Sequence, residues 1–286
     1  MGPCYTWVSD LGVGLDRFRR GAGARVHFRP VCRGAAGVAF AVELMSDQLV
    51  DSETQAAGLA PTADVTLAPV QPRLSRRDLT RELANSITGG VGWFLSIGGL
   101  TVLVVFASLY SNAWLVVACS VYGSTLIFTY GATTLYHAFP WPRVKRVFHV
   151  FDHCAIFLLI AGTYTPFALG PLRGGWGWSL FGIVWGLAVA GVAFKSVFGT
   201  RHELLSVAVY LGMGWLAVVA IGPIMQLVPG PGQLFLVLGG LAYTAGVGFY
   251  LRDHKLVLGH AIWHLFVLIG SALHFFAILF WVVLWP

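Results

Sequence analysis

Three histidines, His260, His264 and His274, lie in one apolar run near the C-terminus, residues 259–276, which reads GHAIWHLFVLIGSALHFF. His260 and His264 are four residues apart, so on a helix they project from one face and can offer two imidazole nitrogens to a single metal ion. His274 lies ten residues beyond His264, about 15 Å further along a helix axis and rotated by roughly 80°, which takes it out of that shell. Other histidines recur in Tyr136-His137 and in the stretch from His149 to His153, which also holds Asp152. Three neutral imidazoles from two helices with an open fourth position describe a catalytic zinc site rather than a closed structural one. Zinc lowers the pKa of water toward neutrality, and a nearby carboxylate can take the proton as hydroxide attacks a carbonyl. In this reading His137, His260 and His264 are the ligands and Asp152 is the base. His149 and His153, also four apart with Asp152 close to the same side, form a competing set. The alternative for all of them is a ring of interfacial side chains reaching for the headgroups, and a haem held between facing helices is a further one.

The elements that must position these residues are membrane helices. With 57% hydrophobic residues, 10% charged residues and a mean hydropathy of +0.76, the 286-residue chain has room for one membrane bundle and a tail. The formal charge of +6 is no nucleic-acid signal, because eleven basic residues flank apolar runs and no basic segment is interleaved with aromatics. Four scattered cysteines without CxxC spacing give no disulfide framework. From Ser86 onward seven spans are expected, at roughly 87–110, 113–138, 149–170, 175–197, 203–227, 233–251 and 260–284, joined by short breaks that make successive helices antiparallel neighbours.

Arginine and lysine set the orientation. Arg73, Arg76, Arg77 and Arg81 precede the first span, Arg143, Lys145 and Arg146 follow the second, Lys195 and Arg201 lie at and just past the end of the fourth, and Arg252 and Lys255 follow the sixth; the remaining breaks hold only Arg173. The positive-inside rule then places the N-terminus in the cytoplasm and the C-terminus outside. His137, Asp152, His260 and His264 all come to the inner end of their spans. Beyond Glu82 the chain has only three carboxylates, and Glu203 and Asp253 read as solvated loop charges. Asp152, set between apolar residues, is the one expected to face the bundle interior, where a buried carboxylate needs a metal, a water or a cation.

Residues 1–80 are rich in Gly, Ala, Pro and Arg, hold most of the acidic residues and show no sustained period, which reads as a disordered tail. Met45 opens an ordinary polar start, MSDQLVDSETQ, so residues 1–44 are expected to be an over-called translation start or a dispensable arm. The glycines at 89, 90, 92, 98 and 99 fit close helix packing better than a phosphate loop. Tryptophans such as Trp141, Trp176 and Trp281 read as a membrane-interface belt.

Four motifs in order carry a family resemblance: Arg81-Glu82 through Asn85-Ser86 to Thr88, Thr133 through Tyr136-His137, Phe151-Asp152-His153 through Gly162 to Thr165-Pro166-Phe167, and Gly259-His260 with Trp263-His264 and His274. Over residues 81–286 the chain resembles the hemolysin III family, the bacterial branch of the progestin and adipoQ receptors, which include the adiponectin receptors and stand with the alkaline ceramidases. The resemblance implies a seven-helix all-α bundle, N-terminus inside, with zinc near the inner leaflet held by His137, His260 and His264. It also implies that Asp152 contacts the metal through water, and it places Thr133, where the family usually has serine, among the catalytic candidates. The family's first motif commonly ends in His-Gly, whereas this chain has Gly89 at the histidine position.

The expected function is therefore a zinc-dependent intramembrane hydrolase of a lipid amide or ester, with membrane lipids as partners, an N-acyl lipid as substrate class and the cell membrane as location. A regulator of lipid homeostasis or receptor-like protein with structural zinc is the alternative. A pore-forming cytolysin is a third, but spans with few internal charges make a poor lining for an aqueous channel.

Overall fold

The computed structural model of the chain describes residues 75–199 and 202–285. Among them seven helices are long and apolar enough to cross a membrane: α1 Arg76–Tyr110, α2 Ala113–Ala138, α3 Pro142–Leu169, α4 Gly175–Phe198, α5 Glu203–Leu227, α6 Gly230–Tyr250 and α7 Gly259–Val283. The protein is a multi-pass membrane protein. Large apolar side chains on the outside of the bundle, such as Phe94 at 74% and Val197 at 76% exposure, have only lipid to meet. Of the expected tail, residues 1–74 lie outside the described residues. The final stretch 76–80 is helix.

Helix ends explain where the spans exceed the apolar runs. Ser75 caps α1 by accepting from the Asp78 N–H at 3.1 Å, so the helix starts eleven residues before the apolar run at 87. At 35 residues it is about 52 Å long, well beyond the roughly 30 Å of a hydrocarbon core, and its first turns carry Arg81, Glu82 and Asn85 beyond the lipid. Pro142 opens α3, where a missing N–H costs nothing, and this early start adds Lys145 to the same inner rim. Asn112 caps α2 by accepting from the Trp114 and Leu115 N–H groups.

Successive helices pack as neighbours, and α1 closes the ring against α7. The centre is α2: 61% of its most apolar stretch is buried, against 22% for α1 and for α6. Small residues let α2 approach both flanks. A Cβ at Gly162 of α3 would stand 2.1 Å from Thr125 Oγ1, and one at Gly123 would stand 2.5 Å from Leu100 Cδ1, so neither site admits a larger residue at this spacing. Of the first span's glycines, Gly89, Gly92 and Gly99 do pack closely on neighbours, whereas Gly98 has nothing within 4 Å.

The fifth span is a broken helix. Its α segment Glu203–Gly214 passes into a 3₁₀ segment, Trp215–Ala220, before resuming as Ile221–Leu227. Pro223 lacks the N–H that would bond back to residue 219 and its ring crowds that carbonyl, so the turn before it tightens. Tyr164 of α3 services the break: its hydroxyl lies 3.0 Å from Met213 O and 2.8 Å from Gly214 O, and it accepts from the Ala217 N–H at 2.9 Å.

Candidate metal centre

At the inner end of the bundle the last turn of α2 and the first two turns of α7 meet. One ring nitrogen from each of His137, His260 and His264 lies within 4.8 Å of the other two. The ring centroids are 5.2 Å apart for His137 and His260, 5.4 Å for His137 and His264, and 4.6 Å for His260 and His264. The two α7 histidines stack one turn apart, as their spacing requires. His137 joins them only because α2 and α7 both pack on α1.

The outward nitrogen of each ring is held. His137 Nδ1 lies 2.8 Å from Glu82 Oε2, and Lys145 donates to the other oxygen of that carboxylate. His260 Nδ1 lies 3.3 Å from Asp253 Oδ2. His264 Nδ1 lies 3.1 Å from the Thr88 hydroxyl, whose own proton is directed to the Ala84 and Asn85 carbonyls at 3.0 Å. A carboxylate can only accept, and so can a hydroxyl whose proton is already committed. Each imidazole is thus the Nδ1–H tautomer, with the Nε2 lone pair turned inward. His137 Nε2 and His260 Nε2 are buried without a hydrogen-bond partner among the described residues. Two orphaned buried lone pairs beside a third imidazole, with every distal nitrogen held by a neighbour, is the donor set a metal ion fits.

Glu82, Asn85 and Thr88 are three residues apart along α1 and share the face turned to the cluster. The cap of α1 is Ser75, upstream of all three. Asn85 is buried, 3.5 Å from His137 Nδ1. Gly89 continues the same stripe, and a Cβ there would stand 3.0 Å from Thr134 Oγ1 and 3.2 Å from Thr133 Cγ2. The space beside residue 89 is taken up by α2.

Asp152, on α3, is 9% exposed and accepts at Oδ1 from the Thr133 hydroxyl, itself 6% exposed. Asp152 lines the same inner cavity of about 380 Å³ as Glu82, His137, Asp253 and His260. His149 and His153 also face it, with their Nε2 atoms 3.0 Å apart. They bond to each other and stand outside the three-histidine group, so His149 is a cavity residue and not the headgroup-facing side chain its place after Arg146 suggests. Tyr136 is a wedge, with ring centroids 4.5 Å from His137 and 4.9 Å from His149. His274 stands apart, stacked at 14° on Tyr243.

Two expectations change. Asp253 is not simply a solvated loop charge, because its carboxylate orients His260; the sequence signal was a carboxylate seven residues before a metal-spaced histidine in a short connection. Glu203 accepts from the Tyr250 hydroxyl at the rim of the cavity. Thr88 was legible only as part of a motif, since nothing local in the sequence pairs it with a residue 176 positions away.

A second cavity, about 280 Å³ and apolar, runs inside the bundle between α3, α5, α6 and α7, with Ile160, Leu211, Val237, Val267 and His274 in its walls.

The family model described as Haemolysin-III related matches residues 77–275. The chain is similar to the Hemolysin-3 homolog of Bacillus subtilis (strain 168), 45% identical over 208 residues, covering 73% of this chain and 97% of that protein. It is 48% identical to Hemolysin-3 of Bacillus cereus over 202 residues, 71% of this chain and 92% of that one. A more distant similarity, 27% over 194 residues, covering 65% of this chain and 79% of the other, links it to the human Monocyte to macrophage differentiation factor.

Proposed function

The chain belongs to the haemolysin-III related family, and from that premise we propose that it is a zinc-dependent intramembrane hydrolase acting on a lipid amide or ester. The observation that carries the reading is the group of three imidazoles, two of them with buried Nε2 atoms that have no partner among the described residues, beside a buried carboxylate. Imidazole donors suit zinc, with geometry rather than affinity excluding copper. His137, His260 and His264 would hold the ion, which when bound supplies Lewis acidity toward a carbonyl and lowers the pKa of water. Asp152 takes the proton from the attacking water, through the carboxylate oxygen that the Thr133 hydroxyl does not engage. Thr133 fixes the carboxylate's rotamer and is a positioning residue. The apolar cavity offers room for an acyl chain, which supports a lipid over a soluble substrate.

Elemental analysis of purified protein tests the ligand set. Zinc near one per chain is expected for the intact chain and for His149→Ala and His274→Ala, with loss in His137→Ala, His260→Ala and His264→Ala; equal retention in all five variants rejects the assignment. Turnover of a panel of N-acyl lipids tests the chemistry.

One observation favours a second reading. The three histidines and the groups that hold them tie α1, α2, α7 and the connection before α7 into one joint, so a metal there could serve the architecture of a membrane-lipid regulator. Zinc-loaded protein that turns over no lipid but loses thermal stability on chelation would establish that reading over the hydrolase.

A further inference from the structure

The connection between α6 and α7 folds back over the start of α7. Asp253–Lys255 form a 3₁₀ turn, the Leu256 N–H bonds to Asp253 O at 3.2 Å, and the Gly259 N–H bonds to Leu256 O at 3.2 Å. A Cβ at Gly259 would stand 2.8 Å from Asp253 Cα. Only a glycine there lets the connection lie close enough for Asp253 to reach His260 Nδ1.

A second fastening comes from outside the connection. Arg81, on the part of α1 that extends past the lipid, donates from Nε to Val257 O at 3.1 Å and from Nη2 to Leu256 O at 3.4 Å. Arg76 and Arg77, one turn earlier, are exposed, whereas Arg81 is half-buried. Arg81, Asp253, Leu256 and Val257 all line the cavity that holds the histidine cluster. The connection is thus a wall of that cavity on its cytoplasmic side, and it is joined to α1 by a two-point guanidinium contact to backbone carbonyls.

We propose that residues 253–258 are a strap across the inner mouth of the cavity, that Arg81 is its latch, and that release of the latch is the route by which the cluster exchanges its metal ion with the cytoplasm. Closed, the strap presents Asp253 to His260 and walls off the lone pairs. Open, it removes the acceptor from one ligand and exposes the cluster in a single movement. The latch contacts main-chain carbonyls, so a lysine, with one point of attachment, replaces it incompletely. The strap itself follows from the backbone geometry; only the identity of what passes it rests on the zinc reading.

Zinc-loaded full-length protein in detergent is mixed with excess 4-(2-pyridylazo)resorcinol and the release of zinc is followed in time. Arg81→Ala is expected to release zinc about ten-fold faster or more, in line with the 10–100-fold effects of groups that orient ligands, with Arg81→Lys intermediate and Arg77→Ala like the parent. Hydrogen–deuterium exchange of residues 253–259 is expected to quicken in Arg81→Ala, while the α2 end that carries His137 is unchanged. Parent-like zinc release in Arg81→Ala overturns the latch, as does faster exchange spread over all seven helices. If the parent takes up no zinc, the metal reading fails, and exchange alone decides the strap: faster at 253–259 upholds it, unchanged rejects it. Should Arg81→Ala not fold, the Arg81→Lys comparison decides both measurements.

Discussion

The centre depends on which nitrogen of each imidazole carries a proton. Glu82, Asp253 and Thr88 are different acceptors that impose the same answer. Thr88 is the most economical of them, because its proton is already committed to the α1 backbone. Thr88→Val should therefore leave His264 free to flip or change tautomer, weakening metal binding about 10–100-fold, whereas Thr88→Ser should restore it; competition against a chelator of known affinity measures both. Asp152→Asn makes a different prediction. The amide cannot take a proton, so turnover should fall by about 10²–10⁴ while zinc content stays at the parent value. Loss of zinc in this variant would make Asp152 a ligand or a clamp instead of a base.

Among the helices, α1 and α5 have the least regular jobs. The first presents Glu82, Asn85 and Thr88 on one inner stripe, with Arg81 beside it, and so holds two of the clustered histidines and the connection before α7 without supplying a histidine itself. The fifth is broken, and a break within the bilayer needs partners for the backbone groups it frees. Tyr164 is that partner. Tyr164→Phe should leave carbonyls near Met213 and Gly214 and the Ala217 N–H short of a bond, at a cost of about 1–3 kcal/mol, visible as a lower melting temperature in detergent. An unchanged melting temperature would mean that other groups service the break.

For the whole molecule, the basic residues at alternate ends of the helices bring the cluster, its cavity and the strap to the same side, which the positive-inside rule makes cytoplasmic. A reporter fused after the last helix should accordingly act as an external domain. Activity of that reporter only in the cytoplasm would reverse the molecule, place the cluster at the outer leaflet and give the strap an extracellular metal pool to exchange with.

Number and order of spans followed from the sequence alone, because a helix crossing lipid must be apolar for about 20 residues and charge cannot remain inside it cheaply. The i, i+4 pair His260 and His264 was legible for the same kind of reason: helical periodicity is local. Even the choice of Asp152 came from a local contrast, one carboxylate among apolar neighbours. From spacing the set of His137, His260 and His264 stood against a competing one of His149 and His153, all at the inner end of their spans; the packing of α2 and α7 on a common α1 gathers His137 with the pair. The starts of α1 and α3 were misplaced into the loops, because the hydropathy that marks a span stops at the headgroups while the helix, capped by Ser75 or opened by Pro142, does not. Arg81, Glu82 and Thr88 were legible only as members of a motif and Asp253 only by its place before a metal-spaced histidine; what each of them holds was out of reach for a related reason. Their partners are set by how helices close into a ring, and a hydrogen bond between residues up to 176 positions apart leaves no periodic trace in either segment.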